Sequence, residues 1–555
     1  MKKRHRKLVK TVVALLLCTV LGLMTGCSKN VQTGNIESNK NSVKEQTGDT
    51  QEMQQTSDAA KLRRLAPEGE TITLKAWRPT HTTIGTRIES WEDALFEKWL
   101  EKQTGIHIEW LTPVGGTEAD NLAVIISSGE YPDLFFDAGL VYSTGAYGLL
   151  KEGVVIDIAK YLDKLPNYSA QLNKSDLRKK ESYSDDGNMA AFYRFNKTDK
   201  PDTTWYGILM RKDCLDKVGI EVPKTYDQWY SVLTAFKNQL GIEKPYLLNS
   251  TGFPKLDMFT GGLGFGYMNY GGNTQPFYQV DGKIHYAPLE DGFKKYLQMM
   301  NRWYSEGLID QDFLSLSSMN AEMTSYSDPQ TGSMVAPLSM GDVIKQLNTD
   351  ENAEYVAVPN PVVTEGDKLH IGASGSPVSA GIQVSSKCTN LDLALQWCDL
   401  FYSEDVIDTS NFGPDDTYYT KAADGTYHFN DQVFSNPDGF AALDMIYSIA
   451  DYPCIVENDR TIGDDKLIEE GKMYDEQNDN SYVISSALTL TDEETETYNS
   501  IMSNIIDYVE EMQVKYIMGI ESFNNYDTFV QKIKDMNIDG AMAAYQAALE
   551  RYNAR

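Results

Sequence analysis

Thr71–Trp77 (TITLKAW), Ser90–Gly105 (SWEDALFEKWLEKQTG), Ile106–Leu111 (IHIEWL), Glu118–Gly129 (EADNLAVIISSG) and Asp133–Phe136 (DLFF) follow one another in a single short stretch. In the first, Ile72, Leu74 and Ala76 share one face, and a period of two predicts a strand. Ser90, with Asp93 three residues on, predicts a capped helix through Trp91, Leu95 and Trp99 that stops at Gly105. Ile106–Leu111 alternates as a second strand, Glu118–Ser128 reads as a helix ended by Gly129, and Asp133–Phe136 is a third strand, apolar on both faces. Strand, helix, strand, helix, strand at this spacing predicts a parallel, doubly wound α/β layer. Ligands of such sheets sit beyond the carboxyl ends of the strands, so Trp77, Arg78 and Asp137 are the first candidate ligand-binding residues.

A second α/β region begins near Trp205. Tyr206–Arg211 reads as a strand, and Thr225 with Gln228 forms a capping box for a helix through Trp229, Leu233 and Phe236. Gly261–Gly272 is GGLGFGYMNYGG; glycine there lets the backbone approach a partner closely, and Phe265, Tyr267 and Tyr270 offer flat faces. The same segment also reads as a glycine-rich turn with its aromatics in the core. Asp291–Ser305 is a helix carrying Trp303, Gly332–Leu338 a strand whose end at Ser339–Asp342 opens another helix, and Glu354–Val358 a returning strand. A long helix from Glu493 to about Ile517 and two shorter ones, Asn525–Met536 and Asp539–Tyr552, follow. Trp205, Tyr267, Tyr270, Trp303 and Asp342 therefore join the candidates. Flat aromatic faces suit the apolar C–H face of a sugar ring, Asp accepts from its hydroxyls and Arg78 donates to it. The 33 Tyr and 8 Trp of the chain fit that chemistry, although most aromatics belong to the core.

The N-terminus reads as an address. Met1–Lys10 is strongly basic, and Thr11–Leu23 is an apolar run too short to span a bilayer as a helix, hence a signal-peptide core. Leu23-Met24-Thr25-Gly26-Cys27 resembles a bacterial lipobox, which implies that Cys27 becomes the lipidated N-terminus. Ser28 to about Pro67 has no aromatic residue and a polar composition, so it is expected to be a disordered tether, with a root-mean-square span of roughly 35 Å.

The whole chain of 555 residues is 23% charged with a net charge of −30, which suits two to four soluble domains. Without the six Lys/Arg of the signal the net charge is −36, so nucleic acid is not an expected partner. Enzyme signatures are absent. The six histidines are scattered, with no H-E-x-x-H, and there is no P-loop. Gly372–Ser376 lacks the last glycine of a nucleophile elbow, and Gly262-x-Gly264-x-Gly266 lacks the third glycine of a dinucleotide fingerprint. Asp475, Gln477 and Asp479 have calcium-loop spacing, but Asn480 and Ser486 stand where such a loop needs Gly and Glu. No C-x-x-C pair occurs, and Cys398 falls on the apolar face of a helix with Leu391 and Leu395. Neither a metal nor a cofactor is expected.

At this point a family resemblance takes shape. Glu101–Asp137 resembles the first lobe of extracellular solute-binding proteins, family 1, the capture components of ABC importers. Tyr206–Trp229, Gly332–Asp342, Ala380–Glu404 and Asn524–Tyr552 resemble, in order, the opening of the second lobe, its later strand and helix, the returning crossover and the closing helices. Phe412–Asp416 departs from the Gly-x-Glu-Gly common among relatives, and Asp185-Asp186-Gly187-Asn188 reads as a turn rather than a calcium loop. The resemblance implies an α/β periplasmic-binding-protein-like fold of two lobes, each a doubly wound sheet flanked by helices, with a ligand cleft between them. On that reading 1–26 is signal, 27–66 lipidated cysteine and tether, 67–195 with 380–430 lobe 1, and 196–379 with 431–555 lobe 2. It also implies a carbohydrate, usually an oligosaccharide, captured by hinge closure. A permease and its ATPase are the implied partners of a monomeric chain anchored by lipid on the outer face of the cell membrane. A lipid-anchored polysaccharide hydrolase or lyase, or a binder of peptides or another solute, are the alternatives.

Overall fold

The computed structural model describes residues 61–555 apart from 82, 114–116, 249–256, 266–267, 271–272, 316–318, 372–375, 435–440, 452–453 and 464. The signal, Cys27 and most of the tether lie outside the described residues, as does the Gly372–Gly375 motif. Nine strands build two main sheets: β1 (Ile72–Trp77), β2 (Ile106–Leu111), β3 (Leu134–Phe136), β4 (Phe192–Asn196), β5 (Tyr206–Arg211), β6 (Ser333–Pro337), β7 (Tyr355–Val358), β8 (Val378–Val384) and β9 (Ile455–Val456).

The first sheet has the order β9-β4-β8-β3-β1-β2. β1 pairs in parallel with β2 from Ile72↔Ile106 to Trp77↔Leu111, and with β3, as the sequence pattern predicts. β8 is antiparallel to both β3 and β4. The sheet is thus mixed rather than wholly parallel, for a topological reason. β1 and β3 end where the chain leaves for the second lobe, and β8 starts there on its return, so it must run the other way. The helix expected from Ser90 is interrupted: Trp91–Asp93 is a 3₁₀ turn, Ala94 is extended (ψ 139°), and the α-helix is Leu95–Thr104. The interruption seats Trp91 under the guanidinium of Arg78, 3.8 Å from the ring centroid.

The second sheet is smaller than expected and antiparallel throughout, with β5 between β6 and β7 and all six β5 residues buried. Its core gathers Trp229, Phe259, Trp303 and the helices Asp492–Ile517 and Ile538–Ala554, and it is separate from the first core around Trp91, Trp110, Tyr168 and Trp397. The Thr225–Gln228 capping box forms as read from sequence, and the helix Asp291–Ser305 has the expected bounds. Cys398 is fully buried in the first core, and Cys214, Cys388, Cys398 and Cys454 are free thiols. None of the helices among the described residues is long and apolar enough to cross a membrane.

The boundary placing 431–555 in the second lobe needs correction. β9 pairs in parallel with β4 in the first sheet, and the helix Ala441–Ile449 packs with Phe412 and Phe429 against Leu95. The chain crosses for the last time only after Val456. Among the described residues three passages therefore join the lobes: 197–205, 359–371 with 376–377, and 457–463.

Gly262 shows why the glycine-rich segment is built as it is. A Cβ there would lie 2.2 Å from the Pro361 carbonyl oxygen on the second passage, and Gly262 bridges to Val362. The partner approached by this backbone is the chain itself. Phe265 is in the core, against Phe293. Gly262→Ala is expected to destabilise the fold by about 1–3 kcal/mol, the usual cost of overpacking, as read from the urea midpoint.

Candidate functional site

The carboxyl ends of β1 and β3 open onto the space beside the three passages. Arg78, the residue after β1, is 3% exposed, and its Nη1 lies 2.5 Å from Asp451 Oδ1. Asp137, the residue after β3, has left-handed backbone (φ 53°), and its carboxylate receives Arg194 Nη2 at 2.8 Å. Burial raises the Asp137 pKa, opposed by Arg194 and Arg78. Below them Glu97 is buried, and burial together with the neighbouring Asp451 pushes its carboxyl well above the usual range. A protonated Glu97 can then donate to Asp451, whose Oδ2 is buried with no other hydrogen-bond partner. The result is a floor of paired charges beneath the strand ends.

On the rim of this floor stands His81, missed by sequence reasoning. Its ring meets Tyr447 at 4.4 Å between centroids, and Asp444 Oδ1 lies 3.8 Å from its Nδ1. The backbone N–H of Thr83 donates to Nδ1 at 3.2 Å, and the Thr83 hydroxyl lies 2.6 Å from it. Burial, and to a lesser degree Arg78, lower the His81 pKa, opposed by Asp444; with Nδ1 accepting the Thr83 N–H, the proton of a neutral ring falls on Nε2. With 30% of its side chain exposed, His81 offers an N–H donor beside an aromatic face. The only sequence signal was its place four residues beyond a strand end. Tyr447 and Asp444 come from a helix more than 350 residues away, and no local pattern brings them there.

The other candidates divide. Trp205, on the first passage, is 38% exposed, lies edge-on to Tyr206 at 5.1 Å, and accepts the Leu338 N–H at its backbone carbonyl. Asp342 is exposed in the first turn of the helix Met340–Leu347, at the same end of the second sheet. Trp77 is 0% exposed, its indole N–H bonded to Asn121 Oδ1 at 2.8 Å, and Trp303 is 1% exposed against Phe259. Neither ring has a free face, so both are core residues rather than stacking platforms. Helix periodicity buries Trp303, whereas Trp77 lies on the strand face of exposed Thr73 and Lys75 and is covered by a separate cluster with Leu122, Phe135 and Leu149. Arg78 points down into its ion pair and acts on the site through the floor. Tyr267 and the side chain of Tyr270 lie outside the described residues.

The passages themselves are laced together. Asp459, in left-handed backbone (φ 60°), accepts the Thr203 N–H at 2.7 Å and its hydroxyl at 3.0 Å. Asp475 accepts the Thr204 hydroxyl at 2.6 Å and N–H at 3.3 Å, Gln477 donates to the Asn360 carbonyl at 2.7 Å, and Asp479 meets His370 at 3.0 Å. The residues with calcium-loop spacing thus fasten the helix that follows the third passage to the other two. Among the described residues no cluster of His, Cys, Asp and Glu could hold a metal ion.

Residues 85–407 match the family described as bacterial extracellular solute-binding protein. The fructooligosaccharide ABC transporter substrate-binding protein FusA of Streptococcus pneumoniae serotype 4 is 22% identical over 82% of this chain and 86% of its own. Lipoprotein LipO of Bacillus subtilis strain 168 is 22% identical over 78% of this chain and 84% of its own. Among solved structures, an HMO binding ABC-transporter associated solute binding protein of Bifidobacterium longum infantis superposes with a TM-score of 0.71 at 19% identity, covering 87% of this chain and 99% of that one. That likeness shows the fold: two α/β lobes of the periplasmic-binding-protein type.

Removing a buried ring and removing an exposed one should differ sharply. Trp77→Ala or Trp303→Ala is expected to cost about 3–5 kcal/mol in urea unfolding, and Trp205→Ala less than about 1 kcal/mol. Glu97 faces Asp451, Arg78 and Glu101. Its folded pKa is raised, so above the ordinary glutamate value unfolding releases a proton and stability falls as pH rises. Relative to wild type, Glu97→Gln is therefore expected to gain stability steadily from pH 4.5 upward in unfolding curves measured across pH; a pH-independent difference would contradict a protonated Glu97.

Proposed function

The chain belongs to the bacterial extracellular solute-binding proteins, a binding and not a catalytic family, and on that premise we propose that it captures an oligosaccharide by hinge closure and delivers it to an ABC permease. The observation that carries the proposal is the joining of two separately cored lobes by three hydrogen-bonded passages, with strand ends opening beside them. Such a neck allows rotation without loss of either core, and a ligand touching both lobes stabilises the closed state. Relatives named for fructooligosaccharide and HMO binding support the ligand class. The site chemistry supports it too. Trp205 and Tyr447 supply flat faces, His81 a donor and Asp342 an acceptor, while Asp137 and Arg194 are already paired. Buried Arg460, which donates to the Asn411 carbonyl beside Tyr447 and Arg194, adds a cationic donor to that set. Cys27, lipidated, would hold the protein at the outer face of the membrane, as befits a chain similar to a lipoprotein.

Thermal unfolding of the secreted chain with a panel of oligosaccharides, fructooligosaccharides first, tests the proposal. At 100 times the dissociation constant the expected stabilisation is about 2.7 kcal/mol, with the sugar recovered intact. His81→Ala should weaken binding about 3–10-fold, the loss of one neutral hydrogen bond, and Trp205→Ala should weaken it without loss of stability. A shift that appears only with peptides, or cleavage of the sugar, would overturn the reading.

A further inference from the structure

Away from the three passages, the lobes meet again through a network of charges. Asp185 belongs to the turn Ser184–Asn188 and follows the helix Asp176–Ser182, in the first lobe. Its carboxylate receives Arg551 Nε at 2.8 Å on Oδ2 and Arg555 Nε at 2.8 Å on Oδ1. Both arginines lie on or just beyond the helix Ile538–Ala554 of the second lobe. Arg551 also grips Glu494 with two parallel bonds, Nη1 to Oε1 at 2.7 Å and Nη2 to Oε2 at 2.6 Å. Glu494 is held in turn by the capping box with Thr491 that opens the helix Asp492–Ile517. Arg555 Nη1 donates to the carbonyls of Tyr183 (2.6 Å) in the first lobe and Ala487 (3.1 Å) in the second. Beside it Glu181 accepts from Ser485 at 2.6 Å and from the Tyr552 hydroxyl, and Lys151 pairs with Asp492.

This is more than a set of exposed pairs. Asp185 and Glu494 have side chains only 14% and 17% exposed, and their arginines hold both below the usual carboxylate range. Paired, bidentate and partly screened from water, such groups are worth more than lone surface ion pairs. The contact is built on Asp185, Glu494, Glu181, Arg551 and Arg555. It depends on charge, so it can open and re-form, unlike packed side chains.

We infer that this network is a clamp: a second attachment, besides the neck, that sets the ligand-free spacing of the two lobes and must rearrange when they rotate. It gives the Asp185-Asp186-Gly187-Asn188 turn a purpose, with Asp185 presented to the other lobe and Asp186 tied back to the Tyr147 hydroxyl. The inference rests on the two-lobed fold and not on the carbohydrate reading, and its test needs no ligand.

Spin labels at Val124→Cys and Leu347→Cys, exposed positions on the first and second lobes, report the interlobe distance in the secreted full chain with Cys388→Ser. In Arg551→Gln/Arg555→Gln the distance distribution is expected to broaden and its peak to shift. The unmutated clamp should move the same way in about 1 M sodium chloride, where screening acts over roughly 3 Å. Lys212→Gln, which breaks the Lys212–Asp216 pair inside the second lobe, should change nothing. A distribution that is the same in the double variant, or in high salt, as in the unperturbed chain overturns the clamp, as does an equal shift in Lys212→Gln. Should the double variant fail to fold, Asp185→Asn and the salt titration decide the question alone.

Discussion

Two carboxylates, Asp459 on the last passage of the chain and Asp475 on the helix that follows it, hold the hydroxyls and amides of Thr203 and Thr204 on the first. Everything else in the molecule depends on that lacing, because the two lobes have separate cores and share no sheet. Apolar packing would fuse them into one rigid body. Hydrogen bonds between chain passages do something different: each contributes only about 1 kcal/mol net, but each is directional. They fix an axis without filling the space around it. Asp459 adopts left-handed backbone to reach Thr203, a conformation that Asp tolerates better than bulkier residues.

The electrostatics follow the same division. A chain of net charge −30 would be expected to present an acidic cleft. Instead, the buried carboxylates beyond the strand ends are matched by Arg78 and Arg194, and the one without an arginine of its own, Glu97, is held neutral. The site thus presents donors, acceptors and ring faces over largely paired charge, with buried Arg460 beside Tyr447 as a further cation.

Most elements were legible in the sequence because they obey local rules. The Thr225 and Thr491 caps, the alternation of β1 and β2, and the glycine stops at Gly105 and Gly129 are set by residues within one or two turns. Strand direction was less legible. β8 reads as an apolar strand whichever way it runs, and only the order of passages makes it antiparallel. The site was the least legible. Strand-end logic nominated Arg78 and Asp137, but it could not tell that Arg78 turns inward to Asp451, a partner 373 residues away. Nor could it find the Tyr447 that flanks His81. Trp77 and Trp303 misled because ring chemistry alone does not distinguish a platform from a core, and the residues that cover Trp77, Leu122 and Leu149 among them, lie far from it in sequence.

The strand order of the first sheet has a consequence for how the molecule comes into being. β8 lies between β3 and β4, and β9 closes the edge beyond β4. Emerging from the N-terminal end, β1 to β4 cannot assemble into their final sheet until residues 378–384 arrive, by which time β5, β6 and β7 have all appeared. The later lobe waits longer still, because its core needs the helices Asp492–Ile517 and Ile538–Ala554. Contacts this distant in sequence make for slow folding. Both lobes therefore stay open until most of the polypeptide is present, the first awaiting β9 and the second its closing helices.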